Sequence, residues 1–232
     1  MNVVNPTLVC LHGYLGLPDD WVPVLGPANA QQIYPNLFRD FPIQAFDAWA
    51  ETFNRWAAKH PSPKILVGYS LGGRLALHAL RQDPKQWAGA ILISTNLGLP
   101  SEELRALRLK TDLQWSERMR NDPWKEVMEK WNAQPVFKES GSFPPRKEED
   151  FDRAALAEAM KKWSLGAQED LQNTLFCLKM PLLWMIGAKD EKRLRFSHPS
   201  SACVQIADGG HRLLVDQPIK VREEMNQFLR NM

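Results

Sequence analysis

The segment Leu-Val-Gly-Tyr-Ser-Leu-Gly-Gly-Arg at residues 66–74 limits most strongly what this chain can fold into. An apolar run typical of a buried strand leads into Gly-x-Ser-x-Gly, and a helical pattern follows. A serine on such a sharp turn needs glycine at positions 68 and 72, where side chains would collide with backbone, and the N-terminus of the following helix favours negative charge. The segment has the pattern of a nucleophile elbow, which presents Ser70 at the edge of a sheet. The alternative is a strand-to-helix junction that uses glycine for packing alone.

Apolar runs rich in β-branched residues recur along the chain between turn residues. They predict strands at residues 7–11, 32–34, 64–67, 88–93, 181–186 and 203–206. Helical patterns lie between them, notably at residues 45–58, 71–81 and 219–229. This alternation predicts an α/β protein with a doubly wound, mostly parallel sheet.

The alternation stops between about residues 99 and 172. That stretch is rich in Trp, Lys, Glu and Arg at helical spacing and contains no convincing strand, while residues 138–146 have the glycine and prolines of a loop. We therefore predict a core formed by residues 1–98 and 172–232 and a helical lid inserted at residues 99–171.

Two polar residues follow late strands of the predicted sheet. Asp190 comes after the strand at 181–186, and His211 follows the last strand, which gives the order Ser, Asp, His along the chain. Sites in open α/β sheets form just past the carboxyl ends of the strands. The pattern predicts a catalytic triad in which His211 takes the proton of Ser70 and Asp190 orients the imidazole. Asp208 and Asp216 are rival acids that are less well placed.

A Leu-His-Gly-Tyr segment closes the first strand. The backbone N–H groups of Tyr14 and Leu71 are the predicted donors of an oxyanion hole, and His12 is expected to brace the loop by hydrogen bonding. Together these patterns predict the α/β-hydrolase fold. Because about six residues precede the first parallel strand, the N-terminal strands 1 and 2 of that fold should be missing, which leaves about six strands in the usual order 4-3-5-6-7-8.

Charge and cysteine content narrow the kinds of partner. The chain has 29 basic and 27 acidic residues and a formal charge of +2, so no strong electrostatic field favours binding to nucleic acid or to an anionic membrane. Its three cysteines lack metal-ligand spacing and are expected to be structural and reduced. No leader pattern and no long apolar run is present, so we expect a cytoplasmic protein that acts on a small molecule without metal or cofactor. The oligomeric state stays open.

Five segments make the chain resemble the family of menaquinone-pathway synthases that form 2-succinyl-6-hydroxy-2,4-cyclohexadiene-1-carboxylate by eliminating pyruvate. They are residues 11–16, the Asp-Trp pair at 20–21, residues 67–74, the Thr-Asp-Leu-Gln-Trp run at 111–115 and the Trp-Asn-Ala-Gln-Pro-Val-Phe run at 131–137. The resemblance implies a substrate with several carboxylates. It also implies that Ser70, helped by His211, acts as a base and not as an acyl-forming nucleophile.

An arginine lies one helical turn after the predicted nucleophile. Arg74 shares a helix face with Ser70, and a guanidinium near the site is costly unless an anion compensates it. An internal ion pair is the alternative explanation. The resemblance adds Arg108 as a second carboxylate-binding residue and places Tyr69 and Trp131 in the substrate pocket. The family also has a third basic residue in the lid, and both Arg146 and Arg153 are candidates for it here.

Three functions of different classes fit these patterns: the carbon-oxygen lyase just described, a hydrolase of carboxylic esters or thioesters, and a binding protein on a former hydrolase scaffold. A complete triad argues against the last. The arginines favour the lyase, because the pocket of a general esterase should be apolar.

Overall fold

Six parallel strands form one sheet in the computed structural model of the chain, which describes residues 5–26, 31–190 and 203–232. The strands are β1 (Thr7–Leu11), β2 (Gln32–Ile33), β3 (Lys64–Tyr69), β4 (Gly89–Ile93), β5 (Leu182–Gly187) and β6 (Cys203–Ile206). Their order is β2-β1-β3-β4-β5-β6, which confirms the predicted fold and its strand order. Strand β3 extends two residues beyond its predicted end because Gly68 and Tyr69 still pair with Leu92 and Ile93 of β4.

Successive residues of each central strand belong to opposite hydrophobic clusters. In β1, Val9 and Leu11 face one cluster, and Leu8 and Cys10 face the other. This alternation follows from the two-residue period of a strand, and it explains why the strands are apolar throughout: both faces are covered.

Nine helices accompany the sheet in the described part of the chain. They are α1 (Val22–Leu25), α2 (Phe46–Ala57), α3 (Leu71–Gln82), α4 (Glu102–Asn121), α5 (Trp124–Asn132), α6 (Arg153–Lys162), α7 (Gln172–Cys177), α8 (Leu213–Asp216) and α9 (Pro218–Arg230). Apolar side chains of α2 and α3 pack on one face of the sheet. Those of α1 and α9 pack on the other. The three helices predicted at residues 45–58, 71–81 and 219–229 are α2, α3 and α9, and their ends are confirmed to within one residue.

The segment between β4 and β5 carries α4 to α7 and no strand, all of it within the described residues. Ser101 caps the N-terminus of α4 and Asp152 that of α6 through side-chain oxygens that accept backbone N–H groups. The Ser116 hydroxyl donates to the Ala157 carbonyl at 2.7 Å and joins α4 to α6. Residues 138–147 contain neither helix nor strand, in agreement with the predicted loop.

The division into a core and a lid stays a prediction. Within the predicted core, residues 1–4, 27–30 and 191–202 lie outside the described residues. The three cysteines are unpaired: Cys10 is buried, Cys203 is partly buried and Cys177 is exposed. None of the described helices is long and apolar enough to cross a membrane.

Candidate active site

Ser70 occupies the turn between β3 and α3 in a backbone conformation that side chains rarely adopt, with φ 51° and ψ −107°. Its N–H donates to the Ile93 carbonyl at 2.9 Å, which ties the turn to β4. Glycine is required on both sides. A Cβ at position 68 would lie 2.5 Å from the Gly73 Cα, and one at position 72 would lie 2.1 Å from the Leu11 carbonyl oxygen. The elbow therefore depends on close backbone approaches that only glycine permits.

A line of hydrogen bonds connects the three residues predicted to act together. The Ser70 Oγ lies 3.0 Å from His211 Nε2, and His211 Nδ1 lies 2.7 Å from Asp190 Oδ2. His211 and Asp190 are both buried, at 4% and 5% exposure. A buried carboxylate on Nδ1 keeps that nitrogen protonated and makes Nε2 the acceptor of the serine proton. The arrangement can therefore remove a proton from Ser70.

The two rival acids have other partners. Asp208 is exposed and forms an ion pair with Lys189 at 3.0 Å. Asp216 accepts the N–H groups of Gly141 and Gly210 with its two oxygens. Neither occupies the position that Asp190 holds on the imidazole.

The loop after β1 lies against Ser70. A Cβ at Gly13 would be 3.6 Å from the Ser70 Cβ, so the backbone leading to Tyr14 borders the serine on one side. Leu71 begins α3, where the first N–H groups have no acceptor within the helix. Both predicted oxyanion donors thus lie on backbone adjacent to the serine.

His12 braces this loop, as its position suggested. Its ring nitrogens lie 2.8 Å from the Gly13 carbonyl oxygen and 3.0 Å from the Leu37 N–H, which donates to Nε2. Burial lowers the pKa of His12 from 6.5 to about 4, so the ring is neutral at physiological pH. A neutral ring can donate with one nitrogen and accept with the other, which this double contact requires.

Ser70 lies at the junction of two cavities, one of about 410 Å³ and one of about 200 Å³. The residues that line both are Tyr14, Ser70, Trp131, Phe137 and His211. A ligand can therefore reach the serine and histidine from either side, and one that extends in both directions would span them.

The smaller cavity contains the two arginines that were predicted to bind substrate. Arg74 donates to the Trp163 carbonyl at 2.7 Å and to Gln168 Oε1 at 3.1 Å. Arg108 donates through Nε to both oxygens of the buried Asp112, at 2.8 and 2.9 Å. The two arginines share a cavity, and Asp112 already balances the charge of one of them.

The larger cavity contains Arg146, one of the two candidates for the third basic residue. Its Nη2 lies 2.8 Å from each oxygen of Asp20, and both side chains are largely buried. Arg153 instead donates to backbone carbonyls at the end of α4 and to Glu148, and it lines neither cavity. Position therefore favours Arg146.

The two predicted aromatic residues also border the site. The Tyr69 hydroxyl donates to the His211 carbonyl at 3.3 Å, and burial raises the pKa of this phenol, which keeps it a neutral donor. Trp131 packs between Tyr14 and Trp115, with ring centroids at 5.0 and 5.1 Å. It forms a wall common to both cavities.

Three charged residues of this region had no role in the sequence analysis: Asp20, Asp112 and Arg212. Both aspartates lie in segments that had been singled out, and Asp112 stands four residues after Arg108, a helical spacing that could have revealed the pair. Arg212 follows His211 directly, and this position beside the predicted catalytic histidine was its only signal. Among the described residues, no group of three His, Cys, Asp or Glu side chains could hold a metal ion.

Comparison with known proteins agrees with the observed fold. The alpha/beta hydrolase family matches residues 8–224. The 2-succinyl-6-hydroxy-2,4-cyclohexadiene-1-carboxylate synthase of Yersinia enterocolitica is 33% identical over 89% of this chain and 80% of that protein, and the synthase of the same name from Serratia proteamaculans is 31% identical over 98% and 94%. The structure of MenH from S. aureus superposes with a TM-score of 0.83, at 22% identity, over 99% of this chain and 96% of that one. The chain therefore belongs to the α/β hydrolase family, and within it its sequence is similar to those of the 2-succinyl-6-hydroxy-2,4-cyclohexadiene-1-carboxylate synthases.

Proposed function

We propose that this chain is a menaquinone-pathway synthase, a carbon-oxygen lyase that eliminates pyruvate from a multi-carboxylate precursor to give 2-succinyl-6-hydroxy-2,4-cyclohexadiene-1-carboxylate. The names of the relatives supply the product. The elimination of pyruvate is what the resemblance of the sequence to this family implies. The observation that carries the proposal is the pair of cavities on either side of Ser70, each of which contains arginine. A general esterase pocket does not need guanidinium groups in both directions from its serine.

The hydrogen-bonded line of Ser70, His211 and Asp190 serves as a base in this reaction. His211 Nε2, at 3.0 Å, takes the hydroxyl proton, and the Asp190 carboxylate stabilises the resulting imidazolium. The serine oxygen then removes a proton from a carbon of the substrate. The electron pair of the broken C–H bond forms the ring double bond, the C–O bond to the leaving group breaks, and the departing enolate gives pyruvate on protonation.

Two sets of groups stabilise the charge that moves during this step. The N–H groups of Tyr14 and Leu71 face negative charge that develops on a substrate oxygen, and such donors act most strongly when they are held in place beforehand. Arg74 and Arg108 bind substrate carboxylates in the smaller cavity, and Arg146 does so in the larger one. Asp112 and Asp20 orient two of these arginines through contacts of 2.8 to 2.9 Å.

A hydrolase of carboxylic esters or thioesters is the second candidate. It is favoured by the walls of the larger cavity, where six aromatic residues give a largely apolar lining: Tyr14, Tyr69, Trp124, Trp131, Phe137 and Phe143. In this case Ser70 would attack an acyl carbon and form a covalent intermediate.

The decisive assay measures pyruvate release from the multi-carboxylate precursor, beside hydrolysis of a panel of short esters and acyl thioesters. We expect pyruvate release that is lost in the Ser70→Ala variant, with no burst in rapid mixing and no acyl adduct in mass spectrometry. If the wild-type protein leaves the precursor unreacted and shows a stoichiometric acyl burst with an ester, the hydrolase is favoured instead.

A further inference from the structure

Arg212 lies beside the catalytic histidine in the wall of the larger cavity, although the elimination as described above does not use it. The residue is 4% exposed. Its guanidinium carbon lies 3.9 Å from the centroid of the Phe137 ring and 5.9 Å from that of Phe143. A side chain so buried and so close to the reacting groups needs a reason for its charge.

The hydrogen-bond partners of this guanidinium are neutral. Nη1 donates to the Gly141 carbonyl at 3.1 Å, and Nη2 donates to the Asn132 side-chain oxygen. Among the described residues, no carboxylate oxygen lies within 4.0 Å of the group. Asp216 contributes a favourable charge to this region without an ion pair to the group, and its two oxygens accept backbone N–H groups.

The other arginine of the larger cavity, Arg146, differs from Arg212 in having a carboxylate partner among the described residues. Arg146 is balanced by Asp20 at 2.8 Å, and it stacks on Phe143 with its guanidinium carbon 4.7 Å from the ring centroid. Arg212 approaches the same ring, and no carboxylate of the described residues forms an ion pair with it. Burial lowers the pKa of Arg212, and the charge of Arg146 acts in the same direction, whereas Tyr69 and Asp216 oppose the shift. An anion entering the cavity would relieve both effects.

We propose that Arg212 binds a carboxylate of the substrate in the larger cavity and thereby determines specificity for a substrate with anionic groups on both sides of Ser70. A guanidinium has five N–H groups and the described contacts use two, so donors remain for a carboxylate. The identity of the substrate rests on the proposed function, whereas the binding of a carboxylate at this position does not.

A purely structural role is the competing explanation. The Arg212 backbone N–H donates to the Ser140 hydroxyl at 2.9 Å, and its side chain holds Gly141, so the residue also tethers the loop at 138–147. The two roles differ in what they require: tethering depends on these hydrogen bonds, and ligand binding depends on the charge. Ser140→Ala removes one tether and keeps the charge, and Ser140 lines neither cavity.

The test is calorimetric titration with citrate as a tricarboxylate probe and its trimethyl ester as the uncharged control. The titrations are made in the Arg74→Ala background, so that the smaller cavity competes less for the probe. We expect Arg212→Met to weaken citrate binding about tenfold or more, Arg212→Lys to restore it in part, and Ser140→Ala to leave it within about twofold. Circular dichroism and melting temperature identify any variant that does not fold, in which case Arg212→Lys carries the comparison.

The proposal is overturned if the Arg74→Ala protein does not bind citrate at millimolar concentration, if Arg212→Met binds it as well as its parent, or if Ser140→Ala weakens it equally. In the pyruvate assay, Arg212→Met should raise KM about tenfold while kcat stays within about threefold. Citrate binding that depends on Arg212 without any pyruvate release would refute the proposed function alone. Pyruvate release with an unchanged KM in Arg212→Met would refute this inference alone.

Discussion

Replacing Asp20 with Asn should destabilise the protein far more than the loss of an ordinary ion pair. The change leaves the size of the side chain almost unaltered and removes the charge that faces Arg146. The two side chains are 5% and 10% exposed, so the guanidinium would remain buried without a counter-charge. Asp20 also accepts the Leu17 N–H at 3.0 Å, a contact that an amide oxygen can keep. The loss is therefore mainly electrostatic.

The magnitude follows from this burial. Removing one partner of a buried pair costs about 3 to 5 kcal/mol, which in a chain of this length corresponds to a fall in Tm of about 10 °C. Burial raises the pKa of Asp20 although Arg146 opposes the shift, which means that desolvation makes the pair expensive to assemble. A double variant, Asp20→Leu with Arg146→Met, should therefore recover stability to within about 1 kcal/mol of wild type.

Urea denaturation of the single and double variants measures these differences. The matched control is Glu126→Gln, which breaks an ion pair of similar length, 3.1 Å to Lys130, between side chains that are about half exposed. That control should cost no more than about 0.5 kcal/mol. If Asp20→Asn costs as little as the control, or if the double variant is as unstable as the single one, the reasoning about the buried pair is wrong.

The remaining predictions concern catalysis and pH. Ser70→Ala and Asp190→Asn should each lower turnover by several orders of magnitude in a protein that still folds, since hydrogen-bonded groups of a triad act as a unit; a variant that keeps a tenth of the activity would remove that residue from the triad. Arg74→Ala should lower kcat/KM for the multi-carboxylate substrate roughly 30-fold or more, with partial rescue by Lys, whereas a change of less than threefold would exclude carboxylate binding there. Arg108→Ala should do the same and also lower stability, because it leaves the buried Asp112 without its counter-charge, and denaturation beside the kinetic assay separates the two effects. Burial lowers the pKa of His78 from 6.5 to about 4, so between these pH values the unfolded chain binds a proton at this residue and the folded chain does not; the free energy of unfolding must therefore fall as pH drops from 6.5 towards 4. Between pH 7 and 5, the free energy of unfolding of His78→Leu, measured with urea, should fall by about 2 kcal/mol less than that of wild type. Equal losses would refute the assignment.

Much of the core could be predicted because its signals are local. The runs at 64–67 and 88–93 are apolar on both faces, and this pattern specifies buried parallel strands wherever the rest of the chain lies. The Gly-x-Ser-x-Gly turn is also recognisable from its own residues, because the collision that excludes a side chain at 68 arises beside the elbow, although the one at 72 comes from the end of β1. Asp190 and His211 could be proposed because parallel strands bring their carboxyl ends to one edge of a sheet.

The electrostatic arrangement of the candidate site could not be obtained this way. Asp20 and Arg146 are 126 positions apart, and nothing in either local sequence indicates that they meet. The choice between Arg146 and Arg153, and the position of Arg212 over Phe137, depend on how the segment between β4 and β5 folds back over the sheet. Residue type and spacing determined the strands, the elbow and the order of the candidate catalytic groups, because those depend on backbone sterics and period. Only the tertiary structure decided which charges are buried together, because desolvation and Coulomb energy depend on distances in space that the order of residues along the chain does not contain.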